Sequence, residues 1–214
     1  MKPERWRGLR VAAVSHARLP SNSGLPLKPM TRQETISPIL LAAILATGLM
    51  TFAGVVSETA MNVTFPTLMR EFAINTSTVQ WLTTAYLLVL ALIIPLSIWL
   101  NKNFATKALF TTASLIFITG TPLGAFAPNY ALLLSGRILQ GAGTGIALPL
   151  MFNIILTQAP KTRIGLIMGI ASLIVAMAPA VGPVLAGVVI DRYGWRTIFL
   201  ILLPVLLVSL ALGV

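Results

Sequence analysis

Glu58 and Arg137 are the residues with chemistry to offer. Each lies within an apolar stretch long enough to cross a bilayer. An ionisable group there is costly and as a rule faces a protein interior or a water-filled cavity. On α-helical geometry, Thr47, Thr51, Glu58 and Asn62 fall within about 60° of one another, as do Arg137, Gln140 and Thr144. These are polar stripes on otherwise apolar helices, as a cavity wall would show. Glu58 precedes Pro66, and Arg137 follows Asn129, by the same number of residues. Both therefore belong about 12 Å below the same membrane boundary. A carboxylate and a guanidinium at one depth could pair or share a hydrogen-bond network. A carboxylate pulled one way by burial and the other by a cation is suited to loading and unloading a proton. The plainer reading of the stripes, above all for the threonines, is helix–helix contact with no part in transport.

Composition excludes most other chemistry. Of 214 residues, 57% are hydrophobic and 9% charged, against roughly 25% charged in a soluble domain. A water-soluble globule is excluded. The net charge of +10 reflects 15 Lys+Arg against 5 Asp+Glu, a shortage of acids rather than a nucleic-acid-binding surface. The absence of cysteine removes disulfides, thiolate metal sites and cysteine nucleophiles, and His16 as the lone histidine leaves almost nothing for metal or general-base chemistry. Neither a catalytic nor a metal site is expected, nor a bound cofactor. The chain reads as an integral membrane protein, not an enzyme.

The elements that must position Glu58 and Arg137 are six helices, expected over residues 38–63, 79–100, 106–126, 130–156, 164–189 and 197–213. Each approaches the ~20 residues needed to span the hydrocarbon core, and lipid leaves no alternative to helices for such runs. Basic residues set the orientation. The tail before Ser37, the 101–107 connection and the 157–163 connection hold eleven, the other side three. The fold class is thus all-α integral membrane with both termini cytoplasmic. Residues 1–37 form a basic cytoplasmic tail and 38–214 a six-span bundle. The tail reads as a disordered arm or a transit peptide, or as upstream sequence if Met30 is the true start. Phe65-Pro66-Thr67-Leu68-Met69 and Leu148-Pro149-Leu150-Met151 hint at a three-plus-three inverted repeat.

Small residues gather in the fourth and fifth spans. Gly141 and Gly145 form a Gly-xxx-Gly pair; Gly165-xxx-Gly169 and Ala178-xxx-Gly182-xxx-Ala186 continue the pattern. Such rows let helices approach closely. Pro179 and Pro183 should kink the fifth span. The plainer reading of these rows is packing; the functional one is that the kinked span, with Gly182 and Gly187, is also a moving or sealing element. Trp81, Tyr86, Tyr130 and Trp195 suit an interfacial aromatic belt.

These motifs resemble the major facilitator superfamily, and within it the fourteen-span drug:proton antiporter branch, lincomycin exporters included. Residues 57–66 resemble that branch's first-span motif, with Glu58 where the acid is commonly Asp. Gln80-Trp81-Leu82-Thr83-Thr84-Ala85-Tyr86 resembles its second span. Gly136-Arg137-Ile138-Leu139-Gln140-Gly141-Ala142-Gly143 is similar to its fourth-span motif, and residues 178–187 to its fifth. Gly194-Trp195-Arg196, with Phe199 and Pro204, also fits. The 100–107 connection departs from the family by lacking an acid. The resemblance implies proton-coupled export of amphipathic drug-like compounds across the plasma membrane, driven by the proton gradient. Glu58 and Arg137 would couple the proton. Asn62, Trp81, Tyr86, Gln140 and Thr144 would line the substrate cavity. It also implies a second six-span half, so that this chain would be incomplete and inactive without that half or a second copy. The alternatives are a small-metabolite carrier of the same fold and a non-transporting fragment.

Overall fold

The computed structural model describes residues 37–214. The readings made of the basic arm, the Met30 start and His16 lie outside the described residues. Six helices follow in order: α1 Pro38–Glu71, α2 Thr76–Asn103, α3 Thr106–Ala125, α4 Tyr130–Gln158, α5 Ile164–Tyr193 and α6 Arg196–Gly213. All are long and apolar enough to cross a membrane, and the protein is a multi-pass membrane protein.

Local chemistry sets the helix ends. Pro38 opens α1, where its missing N–H is no loss. The side chains of Asn75 and Asn129 cap α2 and α4, accepting from the Thr78 and Leu132 amides at 2.8 and 2.9 Å. The first span was expected to end at residue 63, but α1 continues through Pro66 to Glu71. Proline removes one backbone donor near the end of the helix, and packing of Leu68 into a buried cluster holds the final turn. The helix then stops where Ala73 takes φ 51°. The Ile74 amide reaches back to the Met69 carbonyl at 3.1 Å, a six-to-one closure that ordinarily recruits glycine. Gly194, at φ 80°, ends α5.

Apart from α3 and α4, the main packing partners are not chain neighbours. The central helix α4 lies against α2 and α3, and α1 lies against α5 and α6. α1 crosses α4 and α3 crosses α6, while α2 and α3 barely touch. Exchanging α1–α3 with α4–α6 maps this pairing onto itself. That is the contact pattern of a three-plus-three repeat.

Glycines permit the closest approaches. A Cβ on Gly141 would lie 2.6 Å from the Tyr86 carbonyl oxygen, so α2 and α4 touch backbone to backbone there. Gly145 similarly admits Ile93 of α2, and Gly182 of α5 admits Thr59 of α1. Ala171, Ala178, Gly182 and Ala186 form the buried stripe of α5. Gly165, Gly169 and Gly187 were expected to pack as well, but each faces open space, because they lie off this stripe. Pro179 and Pro183 also face outward, and α5 runs unbroken through both.

Candidate functional site

Arg137 is wholly buried where α1, α2, α3 and α4 meet. Its Nη1 donates to the Ser57 hydroxyl at 2.8 Å and to the Gln140 side-chain carbonyl at 2.7 Å. Its guanidinium lies over the Tyr86 ring, 4.3 Å from the centroid. Desolvation strengthens such a cation–π contact. Gln140 donates in turn to Thr121 of α3 at 3.2 Å. The Tyr86 hydroxyl is held between the Gly54 carbonyl at 3.0 Å and the Thr144 hydroxyl at 2.9 Å. Thr144 donates to the Gln140 carbonyl at 2.9 Å. Thr144 and Gly54 are in direct contact, leaving no room for a side chain at residue 54.

No carboxylate lies within 4.0 Å of this guanidinium among the described residues. Nε and Nη2 of Arg137 are buried without a hydrogen-bond partner. Glu58, one residue from Ser57, is half-buried and unpaired with Arg137. Of the two expected arrangements, an ion pair or a shared hydrogen-bond network, the ion pair is absent among the described residues, and Arg137 is held by a neutral cage of Ser57, Gln140 and Tyr86. The sequence reading passed over Ser57 as part of a motif. Its place one residue before the acid was the available signal.

The expected cavity wall divides in two. Asn62 and Trp81 are exposed, Trp81 at 53%. Asn62 accepts from the Thr83 hydroxyl at 2.9 Å, tying α1 to α2. Glu58, one helical turn before Asn62, is half-buried. Tyr86, Gln140 and Thr144 were expected on the same wall, but all three are buried between helices. Tyr86 and Gln140 contact Arg137, and Thr144 bonds both of them. Thr47 and Thr51 do not extend the wall either: their hydroxyls bond the Ala43 and Thr47 carbonyls of their own helix, both at 2.8 Å.

A second polar cluster, unforeseen from sequence, closes the end of the bundle that carries Trp195. Glu71 binds Arg196 Nη1 and Trp195 Nε1, both at 2.7 Å. Arg196 Nη2 donates to the Ala127 carbonyl at 3.0 Å. The guanidinium also lies over the Trp195 ring at 4.3 Å. Three connections are thereby tied together. Trp195 is buried against Phe72 and Phe199 rather than standing in an aromatic belt. Tyr130 is half-buried, its hydroxyl donating to the Thr78 carbonyl at 2.6 Å.

Residues 40–214 match the Major Facilitator Superfamily, and the chain belongs to that family. It is 43% identical over 184 residues to the lincomycin resistance protein LmrB of Bacillus subtilis (strain 168), covering 86% of this chain and 38% of that protein. It is 35% identical over 190 residues to a multidrug resistance protein B homolog of Mycobacterium tuberculosis (strain ATCC 25618 / H37Rv), covering 87% of this chain and 35% of the relative. The bundle superposes on a bacterial homolog of the human lysosomal transporter Spinster, solved inward-facing and unoccupied. That match has a TM-score of 0.70 and 20% identity, over 83% of this chain and 43% of the other. The chain spans well under half the length of the curated relatives it matches.

Proposed function

We propose that this bundle forms one wall of a proton-coupled exporter of amphipathic drug-like compounds in the plasma membrane. The observation that carries the reading is Arg137: a wholly buried guanidinium with two unpartnered donor atoms, bonded to Ser57, whose sequence neighbour Glu58 is a half-buried acid. A charge at mid-membrane costs about 2.5–3.5 kcal/mol on insertion scales, so its retention argues for a role. Glu58 carries the proton, and Arg137 sets how readily that proton leaves. Asn62 and Trp81 meet the substrate. Tyr86 and Gln140 hold Arg137, and Thr144 braces both. Similarity to relatives named for lincomycin and multidrug resistance supports the substrate class.

Alternating access in transporters of this kind rocks one bundle against another around a midplane site. The face bearing Glu58 accordingly needs a second six-span wall, from the same polypeptide or from a second copy. The basic asymmetry supports a cytoplasmic reading of the termini and of the Lys107 end. Reporter fusions after Asn75 and Asn129 should then read outside, and after Ala105 and Lys161 inside. The decisive experiment is Glu58→Gln in the full-length protein. Proton-driven dye export should be lost while membrane insertion is kept. Export with unchanged pH dependence would show that another group carries the proton.

A further inference from the structure

A cavity lies away from the Arg137 cluster, at the Lys107 end, between α1, α3, α4 and α6. Its volume is about 400 Å³, within the ~300–1,000 Å³ range of small-molecule sites. Ile39, Ala43, Phe110, Ile154 and Leu212 give it an apolar bore. Ile39 is exposed at the mouth and Thr47 is buried at the floor. Eight residues of helix separate them, about 12 Å of depth. The Thr47 hydroxyl donates to the Ala43 carbonyl at 2.8 Å, leaving the floor without a free side-chain donor. A hydrophilic ligand would gain nothing by entering.

The rim is different. Lys107, exposed and without an acid within 4.0 Å among the described residues, stands at the mouth with Thr106 and Gln158. Thr106 and Lys107 also open α3, whose Ala105 N-cap has no side-chain hydrogen bond. The helix dipole adds to the positive potential there. The bore has about 400 Å³ over ~12 Å of depth. An extended hydrocarbon chain fits. An apolar bore below a cationic rim at the membrane surface selects an amphiphile with an anionic head.

We propose that this cavity binds one anionic phospholipid. One acyl chain fills the bore and the headgroup phosphate meets Lys107. The site is independent of the transport reading and of Glu58.

The test is phosphatidylglycerol retention by the full chain, read by native mass spectrometry after exchange into mild detergent. Phosphatidylcholine and inorganic phosphate serve as competitors. Wild type should hold one phosphatidylglycerol, displaced by neither competitor. Lys107→Glu, a surface change two charge units in size, should weaken retention by roughly tenfold or more, at about 1 kcal/mol per unit charge near the surface. Ala43→Phe should abolish it by filling the bore. Lys161→Glu, outside the cavity, should leave it intact. Equal loss with Lys161→Glu would reduce the effect to general surface charge and overturn the proposal. So would retention that survives both Lys107→Glu and Ala43→Phe, or a wild type with no preference over phosphatidylcholine. Displacement by inorganic phosphate alone would assign the rim to free anions and also overturn it.

Discussion

The two arginines at opposite levels of the bundle solve opposite problems. Arg196 is partly exposed and has everything a guanidinium wants: a carboxylate at 2.7 Å, a backbone carbonyl and an aromatic face. Arg137 is wholly buried, with an aromatic face and two neutral acceptors, and its other donors are idle. The surface pair joins three connections and contributes about 1 kcal/mol or less, because water screens it. The buried group is a net cost to the fold. Stability alone would have replaced Arg137 before Arg196, so Arg137 is where function is to be sought.

The sharpest way to break this contrast is to replace both side chains alike. Arg137→Met should abolish proton-driven export by the full-length protein, by about 100-fold or more. It should leave the melting temperature unchanged or higher, since a buried charge exchanged for an apolar group of similar volume is often neutral or stabilising by ~1–4 kcal/mol. Arg196→Met should lower the melting temperature and keep export within about twofold. Dye efflux and thermal unfolding in detergent check both; a folded, fully active Arg137→Met protein would dissolve the distinction.

Next in size is the helix contact behind the buried cluster. Gly141→Val places a branched side chain where a Cβ would already lie 2.6 Å from the Tyr86 carbonyl oxygen. Overpacking of this kind costs typically ~1–3 kcal/mol, and here it also pushes α2 from α4. Both export and melting temperature should fall.

Tyr86 separates the two supports of Arg137. Tyr86→Phe keeps the ring face and loses the hydroxyl bonds to Gly54 and Thr144. Tyr86→Leu loses both. The ring contributes up to about 2 kcal/mol when desolvated, so the Leu variant should shift the pH profile of export well beyond the Phe variant. Identical profiles would mean that the ring does not position the guanidinium.

The smallest effect belongs to the outer cluster. Glu71→Gln keeps an acceptor for Trp195 Nε1 and removes only the charge. It should cost less than about 1 kcal/mol. Glu71→Ala leaves the buried indole N–H unsatisfied and should cost about 1–3 kcal/mol. Urea-assisted thermal melts would resolve the two.

The helices were legible because bilayer-spanning runs need little more than length and the absence of charge. Their ends were less so. Nothing in Phe65-Pro66-Thr67 announces that α1 continues to Glu71, since the packing that holds its last turn comes from distant helices. The stripe arithmetic placed Glu58, Arg137 and Gln140 on inward faces. It could not separate a face that opens on a cavity from one that packs against a neighbour, and Gln140 and Thr144, read as cavity lining, lie buried between helices. The Glu71–Arg196 pair was missed for a different reason. Its partners lie 125 residues apart and carry no spacing signal. Asking what each of the three acids beyond residue 36 neutralises would have raised it: Glu58, Glu71 and Asp191.

The interlaced pairing of the helices also sets a timetable for biogenesis. α1 emerges first, yet its main partners α5 and α6 begin only at Ile164 and Arg196. At ~5–20 residues per second, the roughly 90 residues between Glu71 and Ile164 take on the order of 5–20 s to synthesise. For that interval a helix bearing an acid waits in or beside the bilayer without the neighbours that later shelter it. Contacts of such long range are slow to form and leave intermediates exposed. The nascent chain therefore depends on an insertion machinery able to hold α1 until the second half of the repeat arrives.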